Sequence, residues 1–176
     1  MLHALTLAST QLAFLHHADR VKIGCMTSGL GTLCASNHDH VWKSASYYVM
    51  TSLMKYAKGM SLQVNIDCET FDIPGYAIND TSQYRDHYNI PWVDSAAAHD
   101  AEEGTLNIFV INKNPDKVFE LNLDVSAFKG YSLEEHTELF SEDFELKNSY
   151  EEPDNIVPLV NENTVLEDGL VKACLK

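Results

Sequence analysis

The hydrophobic period changes once along this chain, and that change limits the fold more than any single motif. Up to about residue 60, apolar residues recur every three or four positions. Leu5, Ala8, Leu12 and Leu15 would share one face of an amphipathic helix over residues 2–18. Tyr47, Met50, Met54 and Ala57 mark a second helix, with Gly59 as its left-handed cap. Between them, Val21 to Met26, extended by Leu30 to Ala35, shows little alternation. That pattern predicts a strand covered on both faces, as in a parallel sheet. Helix, buried strand, polar loop and helix together read as an α/β segment.

After residue 60 the period falls to two. Phe119, Leu121, Leu123 and Val125 alternate with Glu120, Asn122 and Asp124, as a half-exposed antiparallel strand requires. Residues 105–112 read as its hairpin partner across the turn-rich stretch Lys113 to Lys117. Residues 61–68, 92–100, 131–140 and 169–175 supply further strands at the spacing of a β-sandwich. Residues 74–90 read as a polar, tyrosine-bearing loop. The expected architecture is therefore an α/β segment over 1–60, followed by an all-β antiparallel sandwich over 61–176.

Charge divides at the same place. Residues 1–60 carry five Lys and Arg against two Asp, a net of +3, while 61–176 carry seven against 24 acids, a net of −17. The total of −14 excludes nucleic acid and anionic membrane as partners, since both need a basic face. No apolar run reaches the ~18 residues of a membrane span, and no signal peptide opens the chain. Cys25, Cys34, Cys68 and Cys174 lie far apart, which predicts reduced, buried thiols in a cytoplasmic protein, with neither a disulfide framework nor a zinc site. Without a secretion signal, the sequon Asn79-Asp80-Thr81 is read as incidental.

Two stretches could carry chemistry. In "HHADRVKIGC", His16 and His17 point in different directions from a helix end, where a histidine chiefly answers the helix dipole. Asp19 and Arg20 read as an ion pair in the turn, and Cys25 as a buried structural thiol. The loop Asn37 to His40 is the better candidate, because α/β proteins place ligands at the carboxyl ends of strands. It offers His38, Asp39 and His40, but nothing fixes a third metal ligand. A substrate-facing loop is thus the stronger functional reading, and a solvated loop the plain one. The acidic run from Glu134 to Asp154 reads as a solvated, partner-free face. No glutamate precedes Glu69, and no nucleophile-elbow, phosphate-loop or dinucleotide fingerprint occurs.

Four phrases taken in order resemble one family. "ALTLASTQLAFLHHADRVKIGC" is similar to the helix-to-strand segment of glycoside hydrolase family 51 α-L-arabinofuranosidases, with its "HADRVKIAC" phrase. "VWKSASYYVM" resembles that family's Trp-Arg-Gln-Thr-x-Tyr-Tyr stretch, and "IPWVDSAAAHDAEEGTLNIFVINKN" resembles its following strands. "FKGYSLEEHTELFSEDFELKNSYEEPDNIVP" resembles the next strand and an "N-T/S…P-x-x-V-x-P" tail.

The resemblance implies that residues 1–60 are the last helix-strand-helix of a (β/α)8 barrel and 61–176 its C-terminal β-sandwich, within a longer chain continuing at both ends. It also implies a retaining hydrolase acting on arabinose-containing oligosaccharides, homo-oligomeric and without cofactor or metal. The family's catalytic glutamates lie on earlier barrel strands, so this segment is expected to hold no catalytic residue and to be inactive alone. Its substrate-binding candidates are Trp42, Ser44, His38 and His40. Ser44 stands where the family has a sugar-contacting Gln, and Met26 to Gly31 replaces its "AQLVN". Severed from a barrel, residues 1–60 are expected to dock loosely, to be partly disordered or to self-associate. The competing reading is a non-catalytic module that binds carbohydrate or a partner through Tyr76, Tyr84, Tyr88 and Trp92.

Overall fold

The computed structural model describes residues 1–25, 40–79 and 83–176 in full, and 33–36 and 82 by their backbone. Helix α1 spans Leu2–His16. A hairpin of β1 (Leu33–Ser36) and β2 (His40–Lys43) follows, then helix α2 (Ala45–Tyr56). Short strands come next: β3 (Met60–Leu62), β4 (Thr70–Ile73), β5 (Ala77–Asn79), β6 (Ser82–Gln83) and β7 (His87–Pro91). The longest two are β8 (Val93–Asp100) and β9 (Thr105–Asn112), followed by β10 (Phe119–Asp124). The chain closes with β11 (Thr137–Glu138), β12 (Leu159–Val160), β13 (Val165–Glu167) and β14 (Leu170–Leu175).

Every strand pairing among the described residues is antiparallel. Two three-stranded sheets, β3-β8-β9 and β10-β14-β13, form the body, and β1-β2, β4-β7, β5-β6 and β11-β12 are two-stranded. This is an antiparallel β domain, consistent with a β-sandwich, that carries two helices.

The helices cover one sheet. Leu12 of α1, Leu53 of α2, Ala96 of β8 and Ile111 of β9 form one buried cluster, with Leu5, Leu15, Val49 and Phe109 packed around it. Small residues along β8, with Ala96 to Ala98 all buried, let the chain pack tightly against that strand. A second cluster joins Ala4 and Ala45, near the starts of the two helices, to Ile156. The helices are thus built into the core and not loosely docked.

Several expectations need correction. Residues 21–25 form no strand; Ile23 is 83% exposed, and Cys25, expected to be buried, is exposed, as is Cys174 in β14. An apolar run records what a segment can bury, and among the described residues the main cover over this one is the Phe14 ring at Gly24. Met26 and Leu30 lie outside the described residues. The backbone at Leu33–Ser36 does form a strand, but it pairs antiparallel with His40–Lys43. The polar stretch between them, Asn37 to Asp39, lies outside the described residues.

The predicted hairpin across Lys113 to Lys117 does not form. β9 pairs with β8, and β10 pairs with β14 at the other end of the chain. The β8–β9 turn explains the first choice: the Asp100 carboxylate accepts the amides of Glu102 and Glu103, and Gly104 takes φ +66°. Within residues 74–90, expected as loop, lie β5, β6 and most of β7. The predicted strands at 61–68 and 131–140 shrink to Leu62 and Glu138 as their last paired residues. Helix α2 is capped at Ala57, and Gly59 (φ +79°) instead admits the chain to β3 beside His99. The acidic run is not one solvated face, because Asn148 within it is buried.

Candidate functional site

The candidate site residues sit where β2 passes into α2. Successive strand residues face opposite sides, so His40 and Trp42 share one face of the hairpin. Both meet the loop that follows β11. The Trp42 indole N–H donates to the backbone carbonyl of Asn148 at 3.0 Å. The exposed His40 ring lies 4.3 Å from the Tyr150 ring, tilted by 34°. Ser44 is the N-cap of α2, with an extended backbone at φ −77°, ψ 166°, and its hydroxyl makes no capping bond to the helix. On the opposite side, Lys43 Nζ stands over the Tyr47 and Tyr48 rings, 5.2 and 5.9 Å from their centroids. The structure thus brings His40, Trp42 and Ser44 together within one short segment. His38 lies outside the described residues.

The loop meeting this segment escaped the sequence reading. Asn148 is 5% exposed and its amide is fully used. Nδ2 donates to the carbonyls of Lys43 and Ile156, both at 2.9 Å, and Oδ1 accepts the Ile156 amide at 2.7 Å. The family-like "N-T/S…P-x-x-V-x-P" tail pointed to this position without pointing to its partner, more than a hundred residues earlier.

The remaining candidates have structural partners. α1 ends at His16, as the dipole argument expects, and His16 Nε2 lies 3.5 Å from Asp94 Oδ1. Arg20 Nη2 pairs with His17 Nδ1 at 3.0 Å, taking the place of the expected contact with Asp19. Tyr76, Tyr84 and Tyr88 are all more than half exposed, whereas Trp92 is stacked on Phe71 at 3.9 Å. In the same region Asp86 accepts the Gly75 amide at 2.7 Å. That bond, with the Tyr88 hydroxyl second, holds the Asp86 carboxyl below its ordinary value of 3.8. Among the described residues, no three His, Cys, Asp or Glu gather into a metal-holding group. No helix among them is long and apolar enough to cross a membrane.

Fold and site together define a class: an antiparallel β domain whose helical prefix carries an aromatic hairpin fastened to a distant loop. The family model for the alpha-L-arabinofuranosidase C-terminal domain matches residues 1–176, and the chain belongs to that family. It is 29% identical over 171 residues to an intracellular exo-alpha-(1->5)-L-arabinofuranosidase 1 of Bacillus subtilis, covering 95% of this chain and 32% of that protein. A protein of Halalkalibacterium halodurans, an intracellular exo-alpha-(1->5)-L-arabinofuranosidase, is 27% identical, with 98% and 32% covered. Among solved structures, the family 51 alpha-L-arabinofuranosidase AbfB of Bifidobacterium longum superposes with a TM-score of 0.78 at 19% identity, covering 98% of this chain and 32% of that one. The arabinose complex of the Thermotoga maritima alpha-L-arabinofuranosidase gives 0.79 at 17% identity, with 98% and 36% covered. The structural likeness shows the fold. The chain spans about a third of the length of the curated relatives it matches.

Proposed function

We propose that this chain works as the C-terminal part of a cytoplasmic, homo-oligomeric retaining α-L-arabinofuranosidase that releases terminal arabinofuranose from arabinose-containing oligosaccharides. The observation that carries the reading is the family match over residues 1–176, in a chain that spans a third of its relatives. Retaining hydrolysis needs two carboxyl groups ~5–5.5 Å apart, one as nucleophile and one as acid/base. In this reading both come from a preceding barrel portion. Residues 1–60 complete that barrel, and residues 61–176 are the sandwich that supports it. Trp42, Ser44, His38 and His40 wall the sugar pocket. Ser44, shorter than glutamine, leaves one sugar hydroxyl without a direct partner and so shifts substrate preference.

The test has two arms on an aryl α-L-arabinofuranoside. The 176-residue chain alone is expected to give no turnover above buffer, and the chain extended through its upstream coding sequence to hydrolyse the substrate. Robust turnover by the isolated chain would contradict the proposed division of labour. In the extended enzyme, Ser44→Gln is expected to change kcat/KM several-fold; unchanged kinetics would remove Ser44 from the pocket.

The exposed tyrosines Tyr76, Tyr84 and Tyr88 favour a second reading, a carbohydrate-binding surface on the β4–β7 region. Retardation of the chain in an arabinan-containing gel, lost on replacing the three tyrosines with serine, would support it. Equal mobility with and without arabinan would dismiss it.

A further inference from the structure

The segment His40 to Ala45 is fastened to one loop by four separate contacts. Asn148 Nδ2 holds the Lys43 carbonyl, and the Asn148 carbonyl holds the Trp42 indole. The Tyr150 ring lies tilted against His40, and Ile156 packs in one cluster with Ala45. Asn148 is the centre of this arrangement. Its two amide hydrogens and its oxygen each meet a backbone group, so the side chain joins residue 43 to residue 156 at a buried point. Aspartate has the same shape but offers no donor to two carbonyl oxygens, and alanine leaves three backbone groups unpaired. The position thus requires an amide of this length.

We propose that Asn148 is a positioning residue for substrate binding: through Lys43 and Trp42 it fixes where the β2–α2 junction presents Trp42 and Ser44. The inference rests on the reading that these two residues wall the sugar pocket. It gives the distant loop a specific task beyond general support of the fold. The sugar's binding energy depends on a wall held within a fraction of an ångström, so loosening the wall weakens binding before it alters the chemistry.

Two measurements test it. In the 176-residue chain with Trp92→Phe, the only tryptophan left is Trp42, so its emission reports the clamp directly. Asn148→Asp is expected to shift that emission to the red while far-ultraviolet circular dichroism stays unchanged. In the extended enzyme, the same substitution is expected to raise KM for an aryl arabinofuranoside about tenfold, with kcat within about twofold. Asn148→Gln keeps a neutral amide but moves it one methylene out of reach of the Lys43 and Ile156 backbone groups, and is expected to raise KM several-fold even if Asn148→Asp folds poorly. Unchanged emission and unchanged KM in folded Asn148→Asp would overturn the positioning role, as would unchanged KM in folded Asn148→Gln. If instead Trp42→Ala leaves kcat/KM unchanged while Asn148→Asp still shifts the emission, it is the pocket reading that fails, and Asn148's part in substrate binding falls with it.

Discussion

Two apolar stretches of this chain meet opposite fates. Val93 to Ala98 and Val21 to Cys25 would both pass for covered strands by hydropathy. In the first, Val93, Ala96, Ala97 and Ala98 are all buried, with Ala96 at 0% exposure. In the second, Ile23 is 83% exposed, and residues 21–25 pair with no strand among the described residues. The difference is in what surrounds them. β8 runs between β3 and β9, α1 lies across it, and Leu53 of α2 joins the same buried cluster. Among the described residues, the stretch after α1 has the Phe14 ring against Gly24, and backbone and Lys22 bonds to the end of its own helix. Burial follows cover, and hydropathy alone does not provide it.

The largest effect expected from this contrast is at the covered stretch. Leu12→Ala should destabilise the chain by about 2–5 kcal/mol, since Leu12 is 1% exposed at the junction of both helices with the sheet. Chemical denaturation followed by circular dichroism measures it. A loss below about 1 kcal/mol would mean that the helices contribute little to this core.

Gly59→Ala comes next. Its φ of +79° costs an L-residue about 1–2 kcal/mol, and the new methyl would run into the His99 carbonyl of β8. Calorimetry should show a lowered Tm, and an unchanged Tm would mean that the β3–β8 junction yields freely.

A smaller, pH-dependent effect is expected at Asp86. Its carboxyl is held below its ordinary value by the Gly75 amide and then the Tyr88 hydroxyl. The folded value is depressed, so its stabilising contribution is present above pH 3.8 and is lost as pH falls through the folded value. Asp86→Asn should therefore narrow the stability difference between pH 6 and pH 3, read from urea midpoints at the two pH values. An identical difference in both proteins would remove this carboxylate from the account.

The smallest effect belongs to the exposed stretch. Ile23→Ser should change the stability of this chain by no more than about 0.5 kcal/mol. A larger loss in the same denaturation assay would show that residues 21–25 are covered after all.

The contrast also explains what could be read from the sequence. Helix α1 was legible because Leu5, Leu12 and Leu15 recur at helical spacing on a face the sheet needs. Helix α2 was placed by Tyr47, Met50, Met54 and Ala57, although Met54 is exposed and Leu53 is the large residue it buries. The strands at β8, β9, β10 and β14 were legible from alternation and turn residues. Strand partners were not, because a period of two names a face and not a neighbour. β9 was assigned to β10, yet the Asp100 side chain and Gly104 build the turn that joins it to β8. Trp42 was reached through the family-like stretch "VWKSASYYVM". Asn148 did not, because an asparagine within an acidic run carries no mark of burial. Its partners, Lys43 and Trp42, lie far away in sequence and come close only in the fold.

The central claim is that α1, α2 and the β8–β9 pair form one cooperative core, from which residues 21–25 are left out. Native-state hydrogen exchange on the 176-residue chain tests it most directly. The account predicts that amides of Leu7–Leu12 and Val49–Leu53 are protected with the same opening free energy as those of Ala96–Ala98 and Phe109–Ile111, while those of residues 22–25 exchange nearly as fast as in an unfolded chain. Helices that exchange freely while the sheet stays protected would contradict it.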